Sequence, residues 1–181
     1  DAVRKEYEAE RDDLVRSLEK HTSELMGDRP INLNSPEQLG WVVYGRKPDD
    51  KKQWATLFDG RMANASFTST VTKHSTKLYR QKAKQCKTCY GSGQIRKVKK
   101  DGNPFARPSR CVGCDGCGYT FMDTNELAGL QFVAPTTKFT SANGFSTGKD
   151  SLTYLEGVAR AKQMPEAEKF LQNMKRLNAV E

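Results

Sequence analysis

Cys86-Lys-Thr-Cys89-Tyr-Gly91-Ser-Gly93 and Cys111-Val-Gly-Cys114-Asp-Gly116-Cys117-Gly118 repeat one frame, and this constrains the fold more than any apolar pattern in the chain. Each Cys-x-x-Cys turn offers two thiolates from a short loop, and two such turns complete a tetrahedral shell for Zn²⁺. The glycines permit positive-φ turns that aim amide N–H groups at the sulfurs and offset their charge. Residues 90 to 110 separate the half-sites, and a hairpin fills that gap naturally. Cys86, Cys89, Cys111 and Cys114 are the expected ligands. Cys117, at a variable position of its half-site, either replaces Cys114 or stands unligated, and the second is favoured. His74 has no partner at ligand spacing and reads as a strand histidine. Neither cysteine pair follows the strand–helix pattern of a thioredoxin-type redox motif.

Five cysteines without a secretory segment favour metal thiolates in a reducing compartment over a disulfide framework. No apolar run reaches the roughly 18 residues of a membrane span. The expected protein is soluble, intracellular and cytoplasmic, with no membrane partner. Its start, Asp-Ala-Val-Arg-Lys-Glu, carries no initiator Met and reads as the beginning of an excised piece.

At 181 residues and 36% apolar content, the chain is expected to form two lobes rather than one compact body. The net charge of +8 is unevenly placed. From Lys73 to Arg110, twelve lysines and arginines face Asp101 alone, a net +11, so all other residues together carry −3. Bound metal and four thiolates lower the window to about +9. The positive field belongs to the cysteine segment and calls for an anionic partner.

Residues 2 to 26 predict one helix of about 37 Å, with Tyr7, Leu14 and His21 beside Arg11, Leu18 and Leu25 on one stripe and Gly27 as the stop. A charged coiled-coil arm is the alternative. Ser35-Pro36-Glu37-Gln38 predicts a second helix, capped by Ser35 with Gln38 completing a capping box, and ended by Gly45. Gln53 to Met62 predicts a short helix around Trp54, Leu57 and Phe58. Ser66 to Tyr79, Ile95 to Lys99 and Tyr119 to Met122 read as strands, and Thr124 to Leu130 as a short helix. Thr147 is expected to cap a third helix running to about Gln163. Pro165 opens a fourth, with Ala167, Phe170, Leu171, Met174 and Leu177 on one face.

The half-sites resemble one zinc centre of the DnaJ-type chaperone cysteine-rich domain. That family carries four half-sites and two zincs, so the resemblance implies a zinc hairpin geometry and not the chaperone activity. The flanks resemble another family. Glu24-Leu25-Met26-Gly27, Ile31-Asn32-Leu33-Asn34-Ser35-Pro36-Glu37-Gln38-Leu39-Gly40, Asn143-Gly144-Phe145-Ser146-Thr147 with Leu152 and Leu155, and Phe170 to Leu177 look like the thumb of a family A (polymerase I-like) DNA polymerase. The specific segments are Asn-Leu-Asn-Ser-Pro-x-Gln-Leu and Gly-Phe-Ser-Thr.

This resemblance implies a mainly α fold: a helical thumb hairpin (1–46 and 136–181) carrying an inserted small α+β zinc-binding lobe (47–135, with its zinc hairpin at about 80–122). It implies a piece of a bacterial or phage-encoded DNA-directed DNA polymerase that grips primer-template duplex. Its DNA-facing residues would be Lys138, Thr140, Ser141, Asn143, Ser146, Thr147 and Arg176. Arg96, Lys97, Lys99 and Lys100 of the insert would meet phosphate and aid processivity, while Phe105 and Tyr90 offer planes for an unpaired base. Where the family has Tyr-Arg-x-Leu-x-Lys-Leu, this chain has Leu171-Gln172-Asn173-Met174-Lys175-Arg176-Leu177. Gln172 thus stands in place of an arginine. The chain ends before the family's palm, where catalytic Mg²⁺ binds, so this piece is expected to be inactive alone. Two other roles fit the same residues. The insert can dock an accessory replication protein through Trp54, Phe58, Phe105 or Phe121, or the zinc unit can act as a stand-alone zinc-ribbon or chaperone-like module.

Overall fold

The computed structural model of the protein describes residues 1–58 and 67–181. Helices dominate, joined by small two-stranded sheets. Two compact units divide the chain: residues 1–80 with 125–181, and residues 81–124. Among the described residues no helix is long and apolar enough to cross a membrane.

In the first unit α1 (Ala2–Met26) packs on α6 (Pro165–Val180), which packs on α5 (Lys149–Ala161). The two ends of the chain therefore lie in one body. Phe170, Leu171, Met174 and Leu177 of α6 are buried with Leu152 and Leu155 of α5, as their helical spacing predicts. The stripe of α1 is buried only in its second half, at Leu18, His21, Thr22 and Met26. Tyr7 is exposed, because α6 covers only part of the longer helix. Gly27 ends α1 with φ 84°.

Ser35 caps α2 (Pro36–Tyr44) by accepting from the Gln38 N–H at 3.4 Å. The predicted capping box does not close. The Gln38 side chain instead accepts from the Asn32 N–H at 2.8 Å and pins the Asn-Leu-Asn loop. Likewise Gly148, not Thr147, precedes α5, and the Thr147 hydroxyl donates to the Pro36 carbonyl at 3.5 Å.

The expected lobe boundaries at 47 and 135 differ from the observed division at 80/81 and 124/125. Three features hold residues 47–80 and 125–135 in the first unit. Trp54 of α3 (Lys51–Phe58) is buried against Phe145. Strand β1 (Arg46–Pro48) pairs antiparallel with β2 (Ser75–Lys77). The segment after Leu127 crosses the end of α2, where Leu130 N–H donates to the Val42 carbonyl (2.7 Å) and Phe132 N–H to the Val43 carbonyl (3.2 Å). These are helix-end acceptors that have no partner within α2. The crossing needs Gly129: at φ 73° a Cβ there would sit 2.4 Å from the Val42 oxygen.

Ser66 lies outside the described residues, but Phe67–Lys73 forms helix α4 where a strand was expected. Thr72 donates to the Thr68 carbonyl at 2.8 Å, and Ser75 bonds the Val71 carbonyl. Two of the hydroxyls that argued for strand thus bond carbonyls of the helix, one from within it and one from the first residue of β2, while Val71 is buried. Met62, the expected end of the preceding helix, also lies outside the described residues.

The second unit contains no helix, but across the lobe expected at 47–135 the helices α3 and α4 accompany small antiparallel strands, so its α+β character holds with both helices in the first unit. The paired strands β3 (Tyr79–Gln85) and β6 (Tyr119–Leu127) lead into and out of it. The first four residues of the helix expected over Thr124–Leu130 are the end of β6. Within the unit β4 (Gln94–Ile95) pairs antiparallel with β5 (Ser109–Arg110). The strand expected to reach Lys99 stops at Ile95, and only a bridge between Val98 and Pro104 continues the pairing.

Candidate metal centre and basic hairpin

The four sulfurs of Cys86, Cys89, Cys111 and Cys114 lie within 4.8 Å of one another, and all four residues are buried. Cys86 and Cys111 Sγ are 3.9 Å apart, and Cys89 and Cys114 Sγ are 3.6 Å apart. A tetrahedral ion with metal–sulfur bonds of about 2.3 Å separates its sulfurs by about 3.8 Å. The donor set fits a metal ion.

The halves are related residue by residue at an offset of 25. Cys86 N–H donates to Gly118 O and Cys111 N–H to Gly93 O, both at 2.9 Å, which ties each knuckle to the other. Gly93 N–H reaches Cys89 Sγ at 3.3 Å, and Gly118 N–H reaches Cys114 Sγ at 3.2 Å. These amides partly neutralise the sulfurs. Tyr90 and Asp115 share a left-handed conformation, at φ 53° and 54°. A Cβ on Gly93 would come within 2.3 Å of Gly116 O, and one on Gly118 within 2.4 Å of Gly91 O. Only glycine lets the knuckles approach so closely.

Cys117 occupies the place of Ser92. Ser92 Oγ shares its one proton between the Cys89 and Gln94 carbonyls, each at 2.8 Å, and Cys117 Sγ does so between the Cys114 and Tyr119 carbonyls, each at 2.9 Å. It is therefore a turn-closing side chain outside the four-sulfur cluster. Gln85 and Arg110 form a second matched pair that the motif did not announce. Gln85 Nε2 donates to Tyr90 O, and Arg110 Nε to Asp115 O, both at 2.8 Å. Both directly precede the first cysteine of a half-site, and aligning the two frames would have shown it.

Among the thiols, backbone N–H groups of Cys89 and Thr88 hold Cys86 below the usual thiol range. Burial pushes Cys114 up. Cys89 is opposed by burial yet drawn down to about 6, chiefly by the Gly93 N–H and the Cys114 thiol. Crowding four sulfurs makes each further ionisation dearer unless a cation balances the charge. A divalent ion supplies that balance and releases the protons.

The hairpin between the knuckles carries Arg96, Lys97, Lys99, Lys100 and Arg107, all exposed. None of the five has a carboxylate partner among the described residues. Asp101 Oδ1 accepts from the Asn103 N–H at 3.0 Å inside the tip turn. Phe105 is exposed, with Lys99 Nζ 5.8 Å from its ring centroid.

The other expected DNA-facing residues belong to the first unit. Ser141, Asn143, Ser146 and Thr147 line one cleft of about 490 Å³ with Ser35, Glu37 and Lys51. Tyr44 holds this loop: its hydroxyl donates to Ser146 O at 2.7 Å, and its ring stacks on Phe145 at 5.0 Å. Thr140 is buried, with its hydroxyl bonded to Thr137 O at 3.1 Å, so it does not reach outward. Lys138 is exposed on a 3₁₀ turn (Thr137–Phe139). Arg176 forks onto Glu10 at 2.5 and 2.9 Å. That bond holds the Glu10 carboxyl below its usual range and raises Arg176. Gln172 bonds Glu156 at 3.1 Å, joining α6 to α5.

Of the expected docking anchors, Trp54 is buried and donates to Ser141 O at 2.8 Å, so it belongs to the core. Phe121 is half-buried and Phe105 exposed, while the side chain of Phe58 lies outside the described residues. No protein-family model, curated protein or solved structure matches the chain.

Proposed function

We propose that this chain is a nucleic-acid-gripping piece of a family A DNA polymerase, its thumb, carrying a basic unit folded around one Zn²⁺. The observation that carries the reading is the hairpin at 96–107. It holds five exposed cations without carboxylate partners among the described residues, in a unit whose buried cluster is four cysteines backed by Ile95. Such a surface neutralises phosphates without reading sequence. Four thiolates in a closed shell select a soft tetrahedral ion and leave no open coordination position. The zinc is therefore structural rather than catalytic.

Support for the thumb comes from the first unit. The Gly-Phe-Ser-Thr loop is held by Tyr44 of α2, at the end of the helix that Ser35-Pro36 begins. The helices at the two ends of the chain pack together. A docking role for the zinc unit draws on Tyr90 and Val112, exposed at 80% and 84% on the knuckles.

The test is the salt dependence of primer-template binding. Replacing Arg96, Lys97, Lys99 and Lys100 together with Gln lowers the slope of log K against log salt by about 0.9 for each phosphate that is no longer neutralised. An unchanged slope contradicts phosphate binding by the hairpin. Unchanged DNA binding with loss of a co-purifying replication protein on Tyr90→Ala selects the docking role.

A further inference from the structure

We propose that the hairpin from Arg96 to Arg107 is a site for an unpaired nucleic-acid strand, with a base stacked on Phe105 and the flanking phosphates on the surrounding cations. This rests on the nucleic-acid reading above and names the strand state that the hairpin takes.

Cations alone serve duplex and single strand equally, since both present phosphates. The ring breaks the tie. In a closed duplex the base faces are already stacked on one another, so a side-chain ring finds a free face only on an unpaired base. Phe105 is 46% exposed at a fixed point of the loop. Its N–H donates to Lys97 O at 3.0 Å, and the neighbouring Pro104 is bridged to Val98. The tip is closed by Lys99 N–H to Asn103 O at 2.7 Å and Gly102 N–H to Lys99 O at 3.0 Å. The ring is thus presented by an ordered backbone, which lowers the entropy cost of stacking.

Lys99 marks the site a second time. Its ammonium lies 5.8 Å from the ring centroid, in the cation–π range. Transfer of that ammonium to a phosphate frees the ring for a base, while the strand keeps the charge beside it. Protein-docking surfaces are depleted of lysine at their centres. One ring among five cations that have no carboxylate partner among the described residues therefore suits a polyanion with planar bases better than an apolar protein patch. Asp101, whose Oδ1 accepts from the Asn103 N–H, is a single carboxylate against five cations in residues 96–107, so the hairpin keeps a positive balance.

The experiment uses the zinc-loaded full chain and three probes: an oligo-dT strand, an abasic strand of equal length, and a duplex. The site predicts that oligo-dT binds about ten-fold more tightly than the abasic strand. Phe105→Ala removes that preference and leaves abasic and duplex affinities unchanged, whereas Phe105→Tyr retains it. Zinc content equal to that of the parent chain shows that the knuckles of each variant are intact. Equal binding of dT and abasic strands, or a preference that survives Phe105→Ala, overturns the inference. The reading of phosphate binding fails separately, through an unchanged duplex salt slope in the four-Gln variant. If the strand does not bind and Phe105→Ala instead releases a bound protein, the hairpin is a docking site and this proposal is wrong.

Discussion

The first unit buries Phe170, Leu171, Leu152, Leu18, Val42, Val43 and Trp54 in one continuous cluster, while residues 81–124 bury four cysteines with Ile95 packed beside them. The difference lies in the source of cohesion. A cluster of large apolar side chains draws on the area that it removes from water, at roughly 25 cal/mol per Å². Five small or medium side chains offer little such area, so the net stability of residues 81–124 is expected to depend on a bound ion, whose apparent binding energy at a structural four-ligand site is about 10 to 16 kcal/mol. A unit folded this way can keep its surface for other uses. The proposed metal-held folding would account for a basic window displayed with so little acid around it.

The largest effect expected from this contrast is on Cys111, the most deeply buried of the four candidate ligands. Cys111→Ser should abolish stable metal binding and unfold residues 81–124, while the helices of the first unit keep their protection. Hydrogen exchange resolved by segment checks it, and protection that falls equally in both units breaks the contrast. The converse change is Phe170→Ala, which opens a cavity under α6 and should cost the first unit about 3 to 5 kcal/mol. Its signature is a lower melting point with unchanged metal content. A parallel loss of metal would mean that the units are not independent in stability.

Acid should separate the units by a smaller margin. Glu156 is held below the usual carboxylate range, first by Lys175 at 2.5 Å, then by Gln172 and Arg160. Its folded value lies under its unfolded one. The contribution is therefore complete above the unfolded value and is lost as pH falls through the folded value. Glu156→Gln should cost the first unit about 1 kcal/mol at neutral pH and nothing once both forms are protonated. Melting at pH 7 and pH 3 checks this. Proton competition at four thiolates releases the metal at higher pH, so residues 81–124 should unfold first on acidification. The smallest effect is expected of Cys117→Ser. Because Ser92 already makes the equivalent bonds, metal content should not change and stability should shift by less than about 0.5 kcal/mol. Metal loss in that variant would make Cys117 a ligand.

Local signals were the legible ones. Gly27 and Gly45 end their helices, Ser35 and Pro36 begin one, and the cysteine frames bring four sulfurs together, because each depends on residues a few positions apart. What the sequence hid was contact at a distance. Phe67–Lys73 has the composition of a strand, yet burial of Val71 and hydroxyl bonds within the turn make it a helix. Thr124–Leu127 is drawn into β6 by its pairing with β3. Trp54 looked available to a partner until Phe145, some ninety residues on, covered it. Gly129 carries no local motif, and its need for φ 73° arises from the Val42 carbonyl that it crosses. The parallel between Ser92 and Cys117 was present in the two frames, but its meaning depended on carbonyls that only the folded turns position.

The most direct test is an amide-resolved NMR titration of the full chain, stripped of metal by a chelator and then given one equivalent of Zn²⁺. Metal-held folding predicts collapsed resonances for residues 81–124 in the stripped protein, dispersed ones for the helices α1, α5 and α6, and recovery of the former on adding zinc. Dispersed resonances for 81–124 without metal, or no recovery with it, would contradict the account.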